Sequence, residues 1–189
     1  MVVWSLRVIV GTVIQGPTAP RDSYSAPAKP LARARRDCEA GHVQFYDYDT
    51  RLAAYAVIVD DSDRILLALW NEGAEPTWTM PGGGVELEES PEEGAVRELR
   101  EETGYDVRLG RVLGVDSHLI PPAGRLADTD RWLRSLRVVY TAEIVGGELT
   151  FEQDGTTDEA RWIPLADVPD LPRSSIVDTA IAMWRADRA

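Results

Sequence analysis

The stretch GGGVELEESPEEGAVRELREETGY, residues 82–105, decides how the rest of the chain is read. Three glycines open it, Gly104 stands near its end, and a strong helix signal lies between. Ser90-Pro91-Glu92-Glu93 forms a capping box, with Ser90 as N-cap, Pro91 at the first helical position and Glu93 at the third. Gly104 supplies a left-handed stop after Thr103, so the spacing predicts a helix over Pro91–Thr103. At 100° per residue from Pro91, Ala95, Leu99, Thr103 and Val96 fall at about 40°, 80°, 120° and 140°, a stripe that reads as buried. Glu101, Glu98 and Glu102 fall at about 280°, 340° and 20°, an acidic arc that abuts the stripe at Ala95. Three carboxylates thus share one edge of the core, where an unpaired carboxylate is costly unless it meets a cation.

A solvated face stitched by Glu93–Arg97 and Arg97–Glu101 pairs is the competing explanation. On the helical wheel Arg97, at about 240°, reaches Glu101, but no basic residue of this helix falls near Glu98 or Glu102. A cation site therefore accounts for the arc better. Gly82-Gly83-Gly84 alone reads as a loop; beside this helix it lets a backbone carbonyl and the carboxylates approach one ion.

Charge points the same way. The chain of 189 residues has a formal net charge of −12, and residues 82–105 hold eight Glu against two Arg, which puts −6 there. An acidic surface repels polyphosphate backbones, so nucleic acid is not an expected partner. A small phosphorylated ligand is compatible, provided divalent cations bridge carboxylates to phosphate oxygens. The hydrophobic fraction is 44%, and no run approaches the ~20 apolar residues of a membrane helix, so no membrane partner is expected. A single cysteine, Cys38, excludes an intramolecular disulfide and a Cys-based zinc cluster, and fits a cytoplasmic protein.

Outward from the helix, short apolar runs alternate with turn signals. Ala53–Val59, the turn Asp60–Asp63 and Ile65–Trp70 read as a hairpin. Trp78-Thr79-Met80, Asp106–Val115, Leu136–Ile144 and Ala160–Ile163 suggest further strands, and Ser174–Ala186 a second helix. The expectation is a mixed α/β sandwich of the α+β class. Residues 1–43 differ: an apolar start broken by Arg7, then a Pro/Ala/Ser stretch with Arg33, Arg35 and Arg36. They read as a tail before a domain at residues 44–189; a secretory signal lacks its basic lead-in, while a mistaken start or an added strand stays open.

With these residues in view, Gly83 to Tyr105 resembles the Nudix box, G-x5-E-x7-R-E-U-x-E-E-x-G-U, with U a bulky apolar residue. The matching positions are Gly83, Glu89, Arg97, Glu98, Leu99, Glu101, Glu102, Gly104 and Tyr105, the last where an aliphatic residue is usual. Trp78–Gly83 and Glu159–Leu165 resemble the family's flanking strands, so the likeness covers roughly residues 51–170. It implies an α/β/α sandwich with a mixed β-sheet, and metal-dependent hydrolysis of a phosphoanhydride bond in a nucleoside diphosphate linked to another moiety. That class takes in nucleotides, nucleotide sugars, ADP-ribose and nucleoside triphosphates. It further implies Glu98, Glu101 and Glu102 as ligands of Mg2+ or Mn2+, the Gly82 carbonyl as a further ligand, and Arg97 and Glu89 orienting them. Arg97 and the three glutamates make up the implied catalytic set, and the implied chemistry is attack of a metal-activated water on phosphorus.

Beyond the box the residues specify less. A general base would come from the box or from Glu152, Asp154, Asp158 or Glu159. A base platform would use Trp70, Trp132 or Tyr140, Trp162 reading rather as core. Arg125, Arg131 and Arg137 are candidates for a distal phosphate, His42 and His118 read as structural or exposed, and Pro121-Pro122 as a loop turn. Pro121 lies sixteen residues after Tyr105, a spacing similar to a proline of some ADP-ribose hydrolases in the family. A catalytically inactive ligand-binding or regulatory module is the alternative, disfavoured because about 19 residues after Asp170 are too few for a DNA-binding domain. Prenyl diphosphate isomerisation would need a cysteine within the domain, and Cys38 lies in the tail. A small nucleotide is the expected partner, and a homodimer is left open.

Overall fold

A computed structural model describes residues 46–71, 75–150 and 157–189, all within a unit spanning His42–Ala189. The expected tail, and its boundary with the domain, lie outside the described residues. In chain order the elements are β1 (Asp49–Val57), β2 (Arg64–Trp70), β3 (Thr77–Thr79), β4 (Gly82–Gly84), α1 (Pro91–Thr103), β5 (Tyr105–Ile120), β6 (Leu133–Gly147), β7 (Thr157–Pro164) and α2 (Ser175–Asp187).

Local chemistry sets α1 where it was expected. Ser90 Oγ accepts from the Glu93 amide at 3.2 Å and the Glu93 carboxylate accepts from the Ser90 amide at 2.8 Å, so both halves of the capping box close. Gly104 ends the helix at φ 71°, and its amide donates to the Arg100 carbonyl. Ala95, Leu99 and Thr103 are fully buried as the wheel requires, but Val96 is 38% exposed. The buried face is turned toward the glutamates instead and includes Gly94, against which Val85 and Glu89 pack so closely that a Cβ there would lie 3.2 Å from each. Glu102 joins the buried face.

The strands form two sheets. One, ordered β4-β1-β6-β5, is mixed: β1 and β6 run parallel, the other pairs antiparallel. The other, β3-β2-β7, is antiparallel. The hairpin expected from residues 53–70 is thereby corrected. β1 and β2 meet only at their turn, through a Val59–Ile65 bridge and a 3.1 Å bond from the Leu66 amide to the Ile58 carbonyl, and then diverge into different sheets. Both edges of each strand are taken elsewhere, those of β1 by β4 and β6, those of β2 by β3 and β7.

The glycine triplet is the partner that β1 takes on one side, so it is a strand and not the loop its composition suggests. Gly82 sits at φ 127°, and a Cβ on it would come 2.3 Å from the Ala54 carbonyl oxygen; only glycine allows that approach. Neighbouring strand residues then serve opposite cores. Ala54, Ala56 and Leu66 pack with Ala95 and Leu99 of α1, whereas Val57, Ile65 and Leu67 pack with Ile176, Val177 and Ala180 of α2. Strands lie between two helices, the α/β/α layering the resemblance implies, and among the described residues no helix is long and apolar enough to cross a membrane.

Candidate active site

The acidic arc of α1 and the glycines of β4 line one cleft of about 810 Å3. Arg51 and Tyr55 of β1, Arg137 of β6, and Ser174 and Ser175 at the start of α2 form other parts of its wall. Glu102, only 6% exposed, is tied on both oxygens: Oε2 accepts from the Gly82 amide at 2.8 Å and Oε1 from the Thr157 hydroxyl at 3.0 Å. The helix is thus anchored to β4 and β7 through the residue whose burial the wheel anticipates. Glu98 lies flat on Gly83, where a Cβ would stand 2.7 Å from its carboxylate. Burial pushes the Glu98 carboxyl above its ordinary range and the Glu101 charge adds to that, against the opposing pull of Arg97 and Arg51.

Arg97 is the hub of the arrangement. Its Nε and Nη2 hold the two oxygens of Glu89 at 2.6 and 3.0 Å, and Nη2 also donates to the Gly84 carbonyl at 3.0 Å. Its Nη1 faces Glu101 at 2.9 Å and Glu98 at 3.1 Å. The contact to Glu98 corrects the wheel, which treats side chains as points and misses how far a guanidinium reaches. Of the pairs in the solvated-face explanation, Arg97–Glu101 is present, whereas Glu93 spends its carboxylate on the helix cap.

Arg97, together with the Glu86 amide, holds the Glu89 carboxyl down at about 2 from its ordinary 4.5. A carboxyl depressed in the folded state stabilises the fold above its unfolded value and loses that contribution as pH falls toward its folded value. The window here is from about 4.5 down to about 2. Glu89→Gln is therefore expected to narrow the gap in melting temperature to the parent protein as pH falls through that window, checked by thermal melts at half-unit steps. A gap that stays constant below pH 4.5 would show that Glu89 does not titrate through Arg97.

Among the described residues no three acidic, histidine or cysteine side chains converge into a ready-made metal cage. Glu98 and Glu101 face Arg97, and Glu102 faces the Gly82 amide and Thr157. The donor set still suits a hard cation, because Mg2+ keeps much of its water and needs only one or two carboxylates together with substrate phosphates. Three carboxylates on one cleft wall meet that requirement.

The remaining candidates divide. Trp70, Arg137 and His118 line the cleft, His118 half-buried there. Trp132 is half exposed and outside it. Tyr140 is buried on the α1 side, where desolvation and a hydrogen bond to Glu92 push its hydroxyl up to about 12; it offers no platform for a base. Trp162 packs on Tyr105, ring centres 6.5 Å apart, with Arg64 over its face. Arg125 and Arg131 both hold Asp49 at 2.6 Å and do not line the cleft. Asp158 bonds to Asn71 and Glu159 to Arg161, likewise outside it, while Glu152, Asp154 and His42 fall outside the described residues. Pro121 opens a short turn over Pro122–Gly124, as its dipeptide suggests. Sequence reasoning missed Arg51 and Tyr55, although they share one face of β1 by simple alternation.

Comparison with known proteins completes the picture. The NUDIX domain profile matches residues 49–182. A putative 8-oxo-dGTP diphosphatase of Bacillus subtilis is 44% identical over 62 residues, 33% of this chain and 40% of that protein. An ADP-ribose pyrophosphatase of Methanocaldococcus jannaschii is 31% identical over 120 residues, 64% of this chain and 65% of that one. In both cases the chain spans less than two thirds of the relative's length. A NUDIX hydrolase structure from Nitrosomonas europaea superposes with a TM-score of 0.63 at 22% identity, covering 74% of this chain and 90% of its own, a likeness of fold. With the profile running from the first residue of β1 into α2 and so across the whole cleft, the chain belongs to the NUDIX domain family.

Proposed function

We propose that this protein hydrolyses a phosphoanhydride bond in a nucleoside diphosphate linked to another moiety, using Mg2+ or Mn2+ bound by Glu98, Glu101 and Glu102. The observation that carries the reading is that these three carboxylates line one cleft wall while Arg97, gripped by Glu89, sets the positions of two of them. A divalent cation there would neutralise phosphate charge and lower the pKa of an attacking water. Glu102 contributes a buried charge fixed by Gly82 and Thr157, and the Gly82 carbonyl is the further ligand in this reading. Arg97 and Glu89 act through the other side chains by holding them in place. The names of the relatives, an 8-oxo-dGTP diphosphatase and an ADP-ribose pyrophosphatase, support the class of bond broken. In this proposal residues 44–189 form the catalytic domain, residues 1–43 a tail, and the enzyme is cytoplasmic.

The test is a phosphate-release screen over ADP-ribose, nucleotide sugars, dinucleotides and nucleoside triphosphates. The expected result is turnover of at least one substrate with Mg2+ or Mn2+, complete loss with EDTA, and recovery on readdition. Mg2+ should also raise the melting temperature, because an ion that binds the folded state alone stabilises it. Binding of nucleotides with no turnover under any metal would replace this reading with a non-catalytic ligand-binding module.

A further inference from the structure

Alternate residues of β1 share a face, which places Arg51, Ala53 and Tyr55 together. β6 runs parallel beside them, with Ser135 opposite Arg51 and Arg137 opposite Ala53. Arg51, Tyr55, Ser135 and Arg137 all line the cleft, but the two arginines differ in state. Arg137 is 7% exposed and already engaged, its Nε 2.7 Å from Asp116 and its Nη1 3.1 Å from the Ser175 hydroxyl. Arg51 is exposed, and its guanidinium makes no hydrogen bond or ion pair to any described residue. It nevertheless lies beside the glutamates. A Cβ on Gly84 would fall 2.6 Å from its Nη2, and its charge acts directly on Glu98. The Tyr55 hydroxyl also has no hydrogen-bond partner among the described residues, and it feels the charges of both Glu98 and Glu102. An arginine held at an acidic cleft without pairing to its carboxylates has its full donor fork available to an anion.

We propose that Arg51 is the phosphate-anchoring residue of this cleft, its guanidinium taking oxygens of a nucleoside diphosphate beside the glutamates, with the Tyr55 hydroxyl as a second donor. This deepens the hydrolase reading and rests on it for the identity of the ligand. The planar fork matches two phosphate oxygens at once, which an ammonium does not. Gly84 serves the same end, since any side chain there would displace the guanidinium.

The test uses the full chain, with ADP and inorganic pyrophosphate as calorimetric probes in Mg2+, and kinetics on whichever substrate the screen identifies. Arg51→Ala should weaken both probes about tenfold or more, melt at the parent's temperature without ligand, and raise KM more than it lowers kcat. Arg51→Lys should recover part of the affinity and Tyr55→Phe should lose a smaller part. Arg125→Ala, whose partner Asp49 lies outside the cleft, should change neither probe. Parent-like binding and KM in Arg51→Ala overturns the inference, as does a parent chain that binds neither probe. A parent that turns over nothing, while Arg51→Ala selectively loses the probes, leaves the anchor standing and removes the hydrolase reading.

Discussion

Glu102→Gln is expected to lower phosphoanhydride hydrolysis by about two to three orders of magnitude, the range for loss of a principal electrostatic group, with the fold intact. Glutamine keeps the shape and one acceptor oxygen for the Gly82 amide while it removes the charge, and its NH2 takes the place of the oxygen to which the Thr157 hydroxyl donates. Because Glu102 is 6% exposed and bonds to Gly82 and Thr157, a purely structural role would also make it sensitive to change. Two further variants separate these roles. Thr157→Val deletes the hydroxyl bond but keeps the carboxylate, so it should cost stability and spare most of the rate. Glu93→Gln, on the same helix, should cost little of either, because glutamine also completes a capping box. Steady-state rates at saturating Mg2+ and thermal melts of the three variants decide the matter. Similar rates for Glu102→Gln and Glu93→Gln would sink the assignment of Glu102 to a cation.

How much of this was legible in the sequence follows from the range of each interaction. α1 was, down to both ends, because Ser90, Pro91, Glu93 and Gly104 act within a turn of the helix they delimit. The burial of Glu102 was also legible, since it needs only the angular position of one residue. The sheets were not. Apolar periodicity marks Ala53–Val59 and Ile65–Trp70 as strands without saying which strand each pairs with, and β1 takes β6, some eighty residues on, over its neighbour β2. Gly82-Gly83-Gly84 carries no β signal at all. It becomes a strand because it is the segment that can lie against Ala54 and beneath Glu98 without a side chain in the way. Arg51 and Tyr55 were missed for a related reason. Alternation places them on one face, but the cleft on that face is assembled by β6 and α2, from much later in the chain.

Arg97→Ala is expected to reduce the rate about 10- to 100-fold, the usual loss when a group that orients a metal ligand is removed, and to raise the Mg2+ concentration needed for half-maximal rate. The effect should run through geometry. Without the guanidinium, Glu98 and Glu101 lose the cation that sets their carboxylates, and Glu89 and the Gly84 carbonyl lose their link to α1. Arg97→Lys should recover little, since one ammonium cannot span two Glu89 oxygens, a carbonyl and two further carboxylates. If Arg97 works together with Glu89, then Glu89→Ala should cost a similar factor and the double variant little more, because residues in one network are not additive. Mg2+ titrations of the rate for the two single variants and the double variant check this. Fully multiplicative losses, or parent-like activity in Arg97→Lys, would mean that Arg97 contributes only general positive charge and that Glu89 does not position it.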